Sequence, residues 1–496
     1  MKLVVLVPSE AYRSYAGARI RYNRIAPKLA RHGIDLQLAD IGQFDPETAD
    51  CDGLVISKCH DSRSLIAAAT LGNRGKLVGV DLFDDYFSQD SDSRLMRYRN
   101  WLTQLAGLCD FALCSTEAMA DVVPQYRSAL PTHVMNDPAP GDDFGSALAS
   151  AEMKAAQARD NRQIRVCWFG VGDNPYFPVG LPDLAAFGNR LAGLSRTGFD
   201  VRLTVVTNER ALSADGLAMI KGLPIATEIR EWSEAAEQQA LQDALVAFLP
   251  VSAQPFSVAK SLNRAVTALS EGCQALSVGY PLYRALEPLI YREPAMLLSD
   301  LECGTMRFGA ASEEQYRQAT DACASADHEA SGLAAFLSGL TPQLRDDPRP
   351  VCLIHGHSTR QEAHHFVRQA NGLSVASPYC SAALDFDVIF QGGRSGLKML
   401  VAKSAASRLL SDARAAATPA ERRNGKRYLR IAGTGSAPGE APQWLRWEKA
   451  PIPFQLATYR ETMRRIDQGL SEAFGPCRTF ISEPRRLPFP LVEQAG

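Results

Sequence analysis

The sequence contains no apolar run long enough to cross a bilayer, because Asp, Arg, Gly or Pro interrupts each candidate segment. The opening run MKLVVLVPSE reaches Pro8 and Glu10 after too few apolar residues for the core of a signal peptide. It therefore predicts a buried first strand and a cytoplasmic protein. Peripheral association with the inner face of a membrane is left open.

The sequence also lacks an excess of charge of either sign. Its 53 Lys and Arg residues nearly balance its 55 Asp and Glu residues, for a formal net charge of -2. A balance of this kind provides no extended basic surface, so no nucleic acid is expected as a partner. Any site for an anion must be built locally, from a few cations.

Paired cysteines are missing as well. The chain has 11 cysteines, an odd number, and none of them forms a CxxC pair. This pattern argues against a disulfide framework or a zinc ribbon and favours reduced thiols in a cytosolic core. No cysteine lies beside a histidine in the setting of a catalytic nucleophile.

Half of the eight histidines lie close together, at His355, His357, His364 and His365. No carboxylate or cysteine follows at a fixed ligand spacing, so the sequence predicts no metal site and no cofactor. The Gly-rich stretch 391–396 lacks the Lys-Ser/Thr ending of a phosphate-binding P-loop and is interpreted as a turn.

At 496 residues the chain exceeds the size of a single core. Short apolar runs alternate with helical patterns, which predicts parallel βαβ units. We expect a first doubly wound lobe over 1–138, a linker over 139–163, a second lobe over 164–325, and a smaller α/β region of unknown role over 326–496. The expected strands lie at 3–7, 34–39, 53–57, 77–80 and 111–114, then at 164–169, 201–207, 226–229, 245–249 and 274–278.

The most informative motif covers residues 248–272. A strand ends at Pro250, a loop follows, and a helix is expected to start near Ser261 with its unpaired amides and positive dipole end facing a cleft. Lys260 and Arg264 are four positions apart, which would place them on one side of the first turn where both reach the same anion. A solvated basic helix end is the alternative.

This motif resembles the donor-binding segment of GT-B glycosyltransferases. In both, a strand ends in Pro, a loop leads to Lys-Ser-x-Asn-Arg, and a helix and a Gly precede the next strand. The resemblance extends over about residues 1 to 300 and implies two Rossmann-like lobes. It also implies that Lys260, Ser261, Asn263 and Arg264 contact the diphosphate of a nucleotide-sugar donor. Retaining members commonly carry a glutamate that binds the donor ribose, and Thr267 occupies that position here.

A second loop, which contains Gly170, Gly172 and Asn174, follows the first strand of the second lobe. The resemblance implies that this loop also binds the donor, and its two glycines would let backbone amides approach a diphosphate. An ordinary strand-to-helix turn is the competing interpretation.

The first lobe offers two further candidates. Gly17 and Arg19 resemble the acceptor-side loop of these enzymes. By this resemblance Arg19 would bind an acidic acceptor or a donor phosphate. The alternative is that Arg19 only lies at a helix start and binds no ligand. Asp81, Asp84 and Asp85 cluster after a strand. A carboxylate there could accept a proton from an acceptor hydroxyl, and Asp84 and Asp85 are the catalytic candidates. Capping of the next helix by either residue is the alternative.

The resemblance thus implies a glycosyltransferase that moves a sugar from a nucleotide-sugar donor to a glycan or glycoconjugate acceptor. Two other hypotheses remain open. A non-catalytic relative could keep the two-lobed frame for binding a glycan or a partner, which the threonine at position 267 favours. A sugar-nucleotide epimerase or hydrolase could use the same frame.

Overall fold

The computed structural model describes residues 1–343 except 47, 61, 90, 91, 141, 142, 196, 197 and 312, and the backbone of seven strands beyond residue 343. Within this part of the chain, no helix has the length and hydropathy that crossing a membrane requires. The histidine group at 355–365 lies outside the described residues, except for the backbone of His355 at the end of a strand.

The first lobe is built on a sheet of six parallel strands in the order β2-β1-β3-β4-β5-β6. Its strands are β1 (Lys2–Val7), β2 (Asp35–Asp40), β3 (Gly53–Ser57), β4 (Leu77–Leu82), β5 (Phe111–Cys114) and β6 (Thr132–Val134). Its helices are α1 (Ala16–Ala18), α2 (Ala26–Arg31), α3 (Ser62–Asn73), α4 (Met96–Ala106) and α5 (Glu117–Ala120), with a π-helical turn at Arg19–Asn23.

The second lobe has its own sheet of six parallel strands, in the order β12-β11-β10-β7-β8-β9. These strands are β7 (Gln163–Gly170), β8 (Asp200–Thr207), β9 (Ala226–Glu231), β10 (Val246–Phe248), β11 (Gln274–Leu276) and β12 (Ile290–Tyr291). The α-helices of this part of the chain are α6 (Phe144–Asn161), α7 (Leu181–Phe187), α8 (Ala214–Lys221), α9 (Glu234–Asp243), α10 (Pro255–Val258), α11 (Asn263–Ser270), α12 (Pro294–Cys303), α13 (Arg307–Ala310) and α14 (Glu313–Ala324).

Burial explains why the strands were visible in the sequence. Every residue of β3, β4 and β5 is buried, as expected for parallel strands covered by helices on both faces. Such strands appear in a sequence as uninterrupted apolar runs rather than as alternating patterns. The predicted fold class, α/β with two doubly wound Rossmann-like lobes, is confirmed.

Both sheets reverse their strand order at one point, and ligands of doubly wound sheets bind beside such a reversal at the carboxyl ends of the strands. In the first lobe the reversal lies between β1 and β3, and in the second between β7 and β10. The loops that leave these four strands therefore mark the expected binding region.

The predicted linker and the first part of the predicted C-terminal region both have a defined place. The segment expected to be a linker forms α6, and Phe144, Ala147 and Ala151 pack in the core of the second lobe. Helix α15 (Ala326–Ser338) returns to the first lobe, where Leu333 and Leu337 are buried in the core around β1.

Beyond residue 343 the described strands form a second type of sheet. Strands β13 (Val351–His355), β14 (Leu373–Ala376), β15 (Val388–Gln391), β16 (Lys398–Leu400) and β19 (Arg478–Ile481) form a mixed sheet in the order β16-β15-β14-β13-β19. Strands β17 (Arg427–Ile431) and β18 (Gln443–Trp447) pair antiparallel. Helix α3 of the first lobe contacts β13 and β19.

Candidate functional site

Polar side chains from both lobes meet across the cleft between the two sheets. The hydrogen bonds that join the lobes include Lys260 Nζ to Asp84 Oδ1, Arg19 Nη1 to Glu234 Oε1 at 2.9 Å, and Thr116 Oγ1 to the main-chain oxygen of Ala259 at 3.0 Å. The first two contain residues that the sequence singled out. The cleft is therefore the place where the predicted site residues converge.

Aromatic side chains close one end of this cleft. The ring of Tyr86, from the first lobe, lies 5.4 Å from that of Phe256 and 5.8 Å from that of Tyr176, both in the second lobe. Asn174 Nδ2 donates to the Tyr86 hydroxyl at 3.4 Å. Burial, with the Asp84 charge as a further cause, raises the pKa of Tyr86 to about 12, so this hydroxyl stays protonated at neutral pH.

Arg264 is positioned at the strand-order reversal of the second lobe. It is the second residue of α11, and its guanidinium lies 5.2 Å from the ring of Trp168 and 5.3 Å from that of Phe169 at the end of β7. A Cβ atom built on Gly170 would lie 3.5 Å from Arg264 Nε, an ordinary contact distance, so it is the φ angle of 142° rather than crowding by Arg264 that favours glycine at this position.

The Arg264 guanidinium has unused hydrogen-bonding capacity. Its Nε and Nη2 atoms are buried, yet neither has a hydrogen-bond partner within the described part of the chain. Helix α11 starts beside it with Leu262 as N-cap, a residue whose side chain accepts no capping hydrogen bond. A cation and unpaired first-turn amides thus lie together, which is the arrangement that binds anions.

The prediction that Lys260 and Arg264 share one side of a helical turn is wrong. The helix expected to start near Ser261 starts at Asn263, so Lys260 precedes it and the spacing rule for helical neighbours does not apply. Lys260 instead reaches across the cleft to Asp84, and its Nζ lies 4.1 Å from the centre of the Phe256 ring. The two cations therefore face different groups in this structure.

Asp84 accepts hydrogen bonds from two lysines. Lys58 Nζ donates to Oδ2 at 2.7 Å, and Lys260 Nζ donates to Oδ1. Burial alone would raise the pKa of the Asp84 carboxyl, but the two ammonium groups hold it well below its usual value. A carboxylate held in this way is a weak proton acceptor for as long as both lysines stay in place.

The other two aspartates of this cluster have structural partners. Asp85 Oδ1 accepts the amides of Phe87 and Ser88 at 3.1 and 2.9 Å, which closes a turn in the loop; it does not cap the next helix, because the next helical turn starts at Ser93. Asp81 is buried and pairs with Arg21. Among the three, Asp84 is the one that contacts the opposite lobe.

The loop after β7 is largely satisfied by its own neighbours. The amide of Gly172 donates to Asn208 Oδ1 at 2.9 Å, and a Cβ built on Gly172 would lie 2.4 Å from Thr207 Oγ1. Asn174 Oδ1 accepts the amide of Tyr176 at 2.9 Å. In this structure the Gly172 amide is therefore engaged by the protein rather than offered to a ligand.

The remaining donor-side candidates surround the start of α11. Thr267 is buried, and its hydroxyl donates to Asn263 Oδ1 at 3.1 Å. Burial raises the pKa of Asp137, and this rise is opposed first by the Arg21 charge and then by the Ser261 hydroxyl. Ser261 thus lies over a buried carboxyl at the end of the first lobe.

On the acceptor side, Gly17 and Arg19 have clear local reasons for their identity. A Cβ built on Gly17 would lie 2.2 Å from the Tyr12 hydroxyl, so glycine is needed for packing. Arg19 donates to Glu234, and its guanidinium lies 5.7 Å from the centre of the Trp232 ring. The Arg19 Nε atom is buried and has no partner among the described residues.

Sequence reasoning missed Lys58. This residue directly follows β3, at the carboxyl end of a strand that flanks the first lobe's reversal of strand order. Its position after a predicted strand was a usable signal. Its contact with Asp84 could not be predicted from the sequence, because the two residues come from different loops.

The described residues contain no group of three or more His, Cys, Asp and Glu side chains that could hold a metal ion. Comparison with known proteins gives no match to a protein-family model and none to a curated relative.

Solved structures with a similar fold include three whose descriptions name UDP. One is trehalose-6-phosphate from E. coli bound with UDP-2-fluoro glucose, with 12% identity, 69% of this chain and 100% of that chain covered, and a TM-score of 0.47. Anabaena Alr3699/HepE in complex with UDP and glucose shares 13% identity, with 68% of this chain and 100% of that chain covered and a TM-score of 0.47. A UDP-forming alpha, alpha-trehalose-phosphate synthase from Burkholderia xenovorans shares 13% identity, with 60% of this chain and 75% of that chain covered and a TM-score of 0.37. These are similarities of fold and add nothing to the geometry of the site.

Proposed function

We propose that this chain is a glycosyltransferase that binds a nucleotide-sugar donor in the interlobe cleft and transfers the sugar to a glycan or glycoconjugate acceptor. The observation that carries the proposal is Arg264, an arginine with two buried, unpartnered nitrogens at the reversal point of the second sheet. Residues on both sides of the cleft supply the remaining contacts.

The chemistry at Arg264 fits a diphosphate. A guanidinium presents a planar set of N–H donors that matches phosphate oxygens, and the start of α11 adds unpaired amides and the positive end of the helix dipole. Leaving buried N–H groups without acceptors costs stability, so a ligand that supplies oxygens would be bound favourably. Asn263 is the first residue of this helix, Lys260 and Ser261 precede it, and all three would complete the donor site.

The acceptor would enter from the first lobe. Arg19 and Gly17 follow β1, one of the two strands that flank the strand-order reversal there. Asp84 lies between the lobes and could act as the base that takes a proton from an acceptor hydroxyl, once the lysines that depress its pKa have moved. Asp85, whose carboxylate caps a turn, is the weaker of the two catalytic candidates.

A second candidate function is binding without transfer. Two observations favour it: Thr267 is buried with its hydroxyl used inside α11, and Asp84 is held between two ammonium groups. In that case the frame would bind an anionic glycan or sugar nucleotide without turning it over. A donor hydrolase or epimerase on the same frame is distinguished by its products.

Calorimetric titration of UDP, GDP and ADP into the wild-type protein, Arg264→Ala, Arg264→Lys and Lys260→Ala tests the donor site. We expect one nucleotide to bind and each alanine variant to lose about tenfold to a hundredfold in affinity, because a charged hydrogen bond is worth ~1.5–3 kcal/mol. Arg264→Lys should also be impaired. Arg202→Ala, an exposed arginine of β8 paired with Asp200, is the matched control and should bind normally.

Equal affinities in all variants would place the donor elsewhere and remove the proposal. Product analysis with the corresponding nucleotide sugars then separates the candidates. Transfer to an added acceptor supports the transferase, sugar release without transfer supports a hydrolase, and binding without turnover supports the binding protein.

A further inference from the structure

Lys58 has an unusual backbone conformation. Its φ angle is 55°, in the left-handed region that residues other than glycine seldom adopt. Conformations of this kind cost free energy and tend to persist at functional positions, where other contacts hold them. Here the side chain is held by Asp84 Oδ2 at 2.7 Å and by the ring of Phe83, whose centre lies 4.3 Å from Nζ.

Lys58, Asp84 and Lys260 form a bridge between the two lobes. Asp84 is 8% exposed and lies between the two ammonium groups, one from each lobe. Two cations and one carboxylate leave one positive charge in excess at a partly buried position. The carboxylate thus occupies the place where an oxygen-bearing anion could bind to both lysines.

We propose that Asp84 is a built-in competitor for an anionic ligand, and that Lys58 is a further anion-binding residue contributed by the first lobe. The proposal rests on the proposed function, in which the diphosphate of a donor binds in the same cleft. When a phosphate group enters, it replaces the Asp84 carboxylate as the partner of Lys58 and Lys260. No covalent bond changes in this exchange.

The exchange has a consequence for the arrangement of the lobes. The Lys260–Asp84 hydrogen bond joins residues 176 positions apart in the sequence and crosses the cleft. Without ligand it holds the lobes together directly, and with ligand the phosphate takes over that connection. Release of the Asp84 carboxylate from both lysines also lets its pKa return toward the ordinary range, so the ligand activates the candidate base.

Calorimetric titration of inorganic pyrophosphate tests the competition. Asp84→Asn removes the competing charge and should bind pyrophosphate about tenfold more tightly than wild type. Lys58→Gly removes the cation and suits the left-handed backbone, and should bind about tenfold more weakly. Asp327→Asn is the matched control: Asp327 also bridges two cations, Lys28 and Arg31, outside the cleft. Its affinity should equal that of wild type.

Small-angle X-ray scattering without ligand gives a second measurement. Asp84→Asn should have a larger radius of gyration than wild type, and Asp327→Asn should not. An unchanged or weakened affinity in Asp84→Asn, or an unchanged radius, overturns the proposal. If Asp84→Asn does not fold, Lys58→Gly decides alone, since wild-type affinity in that variant excludes Lys58 as a ligand.

Failure of this inference can be told apart from failure of the proposed function. If a nucleotide binds wild type through Arg264 while Asp84→Asn gains nothing for pyrophosphate, the donor site stands and the competition is rejected. If Asp84→Asn gains affinity for pyrophosphate and no nucleotide binds at all, the anion site stands and the nucleotide-sugar donor is rejected.

Discussion

Arg21 and Asp81 form an ion pair from which water is excluded. Both side chains are almost completely buried, and the Arg21 Nη2 atom lies 2.7 Å from Asp81 Oδ1 while Nε donates to both carboxylate oxygens. Burial alone would lower the pKa of Arg21, and Asp81 is the main group that raises it above its usual value. The pair fixes the π-helical turn after α1 to the end of β4.

Asp81→Asn should therefore destabilise the first lobe. Removing one partner of a buried pair leaves an uncompensated charge, which costs about 3–5 kcal/mol. Asp137→Asn should cost less, because Asp137 contacts Arg21 through a single longer bond of 3.4 Å. Urea unfolding of both variants measures the difference. An equal loss in both would mean that Arg21 depends on the two carboxylates alike.

Arg264→Met should separate stability from ligand binding. The side chain keeps its apolar contacts with Trp168 and Phe169 but no longer places unpartnered nitrogens in a buried position. We expect the free energy of unfolding to rise by about 1 kcal/mol while the affinity for the nucleotide falls about tenfold to a hundredfold. A fall in thermal stability would show that the guanidinium has a structural role instead.

Asp84→Asn and Asp85→Asn should have different effects. Asp85→Asn weakens a loop turn in which the carboxylate accepts two amides, and it should lower the free energy of unfolding by about 1 kcal/mol. Asp84→Asn should leave the fold intact and lower turnover about a hundredfold, the usual contribution of a general base. Thermal unfolding and transfer assays on both variants test this. Full turnover in both would reject catalysis by either residue.

Helix α15 should be needed for the stability of the first lobe. Ala330, Leu333 and Leu337 are buried in that lobe's core, and Glu329 accepts hydrogen bonds from the main chain and side chain of Asn136, both at 2.9 Å. A variant ending at residue 325 exposes this surface and loses about 1.5–3 kcal/mol for each large apolar side chain removed. A variant ending at residue 343 keeps the helix and is the control. Equal melting temperatures would contradict the assignment.

Residues 326–496 should need no transition metal. His355 and His357 lack a convincing set of further ligands in the sequence. Elemental analysis of the untagged protein should find no stoichiometric zinc. Zinc that disappears when both histidines are replaced would contradict this prediction.

The sequence by itself determined the two doubly wound lobes and pointed to the loop in which we propose the anion site. Buried parallel strands such as β3 and β4 are continuous apolar runs, so they are visible without any knowledge of their neighbours. The segment from Pro250 to Arg264 carries its chemistry in a short stretch of chain, because a strand, a loop and a helix start are local features.

Only the tertiary structure decided the partners of the charged residues. Helical spacing placed Lys260 beside Arg264, but the helix begins at Asn263 and Lys260 is instead bound to Asp84 in the other lobe. The same holds for Lys58, which the chain brings to Asp84 through a left-handed residue after β3. Spacing rules apply within one helix or strand, whereas contacts between lobes depend on how two sheets pack, which no local pattern encodes.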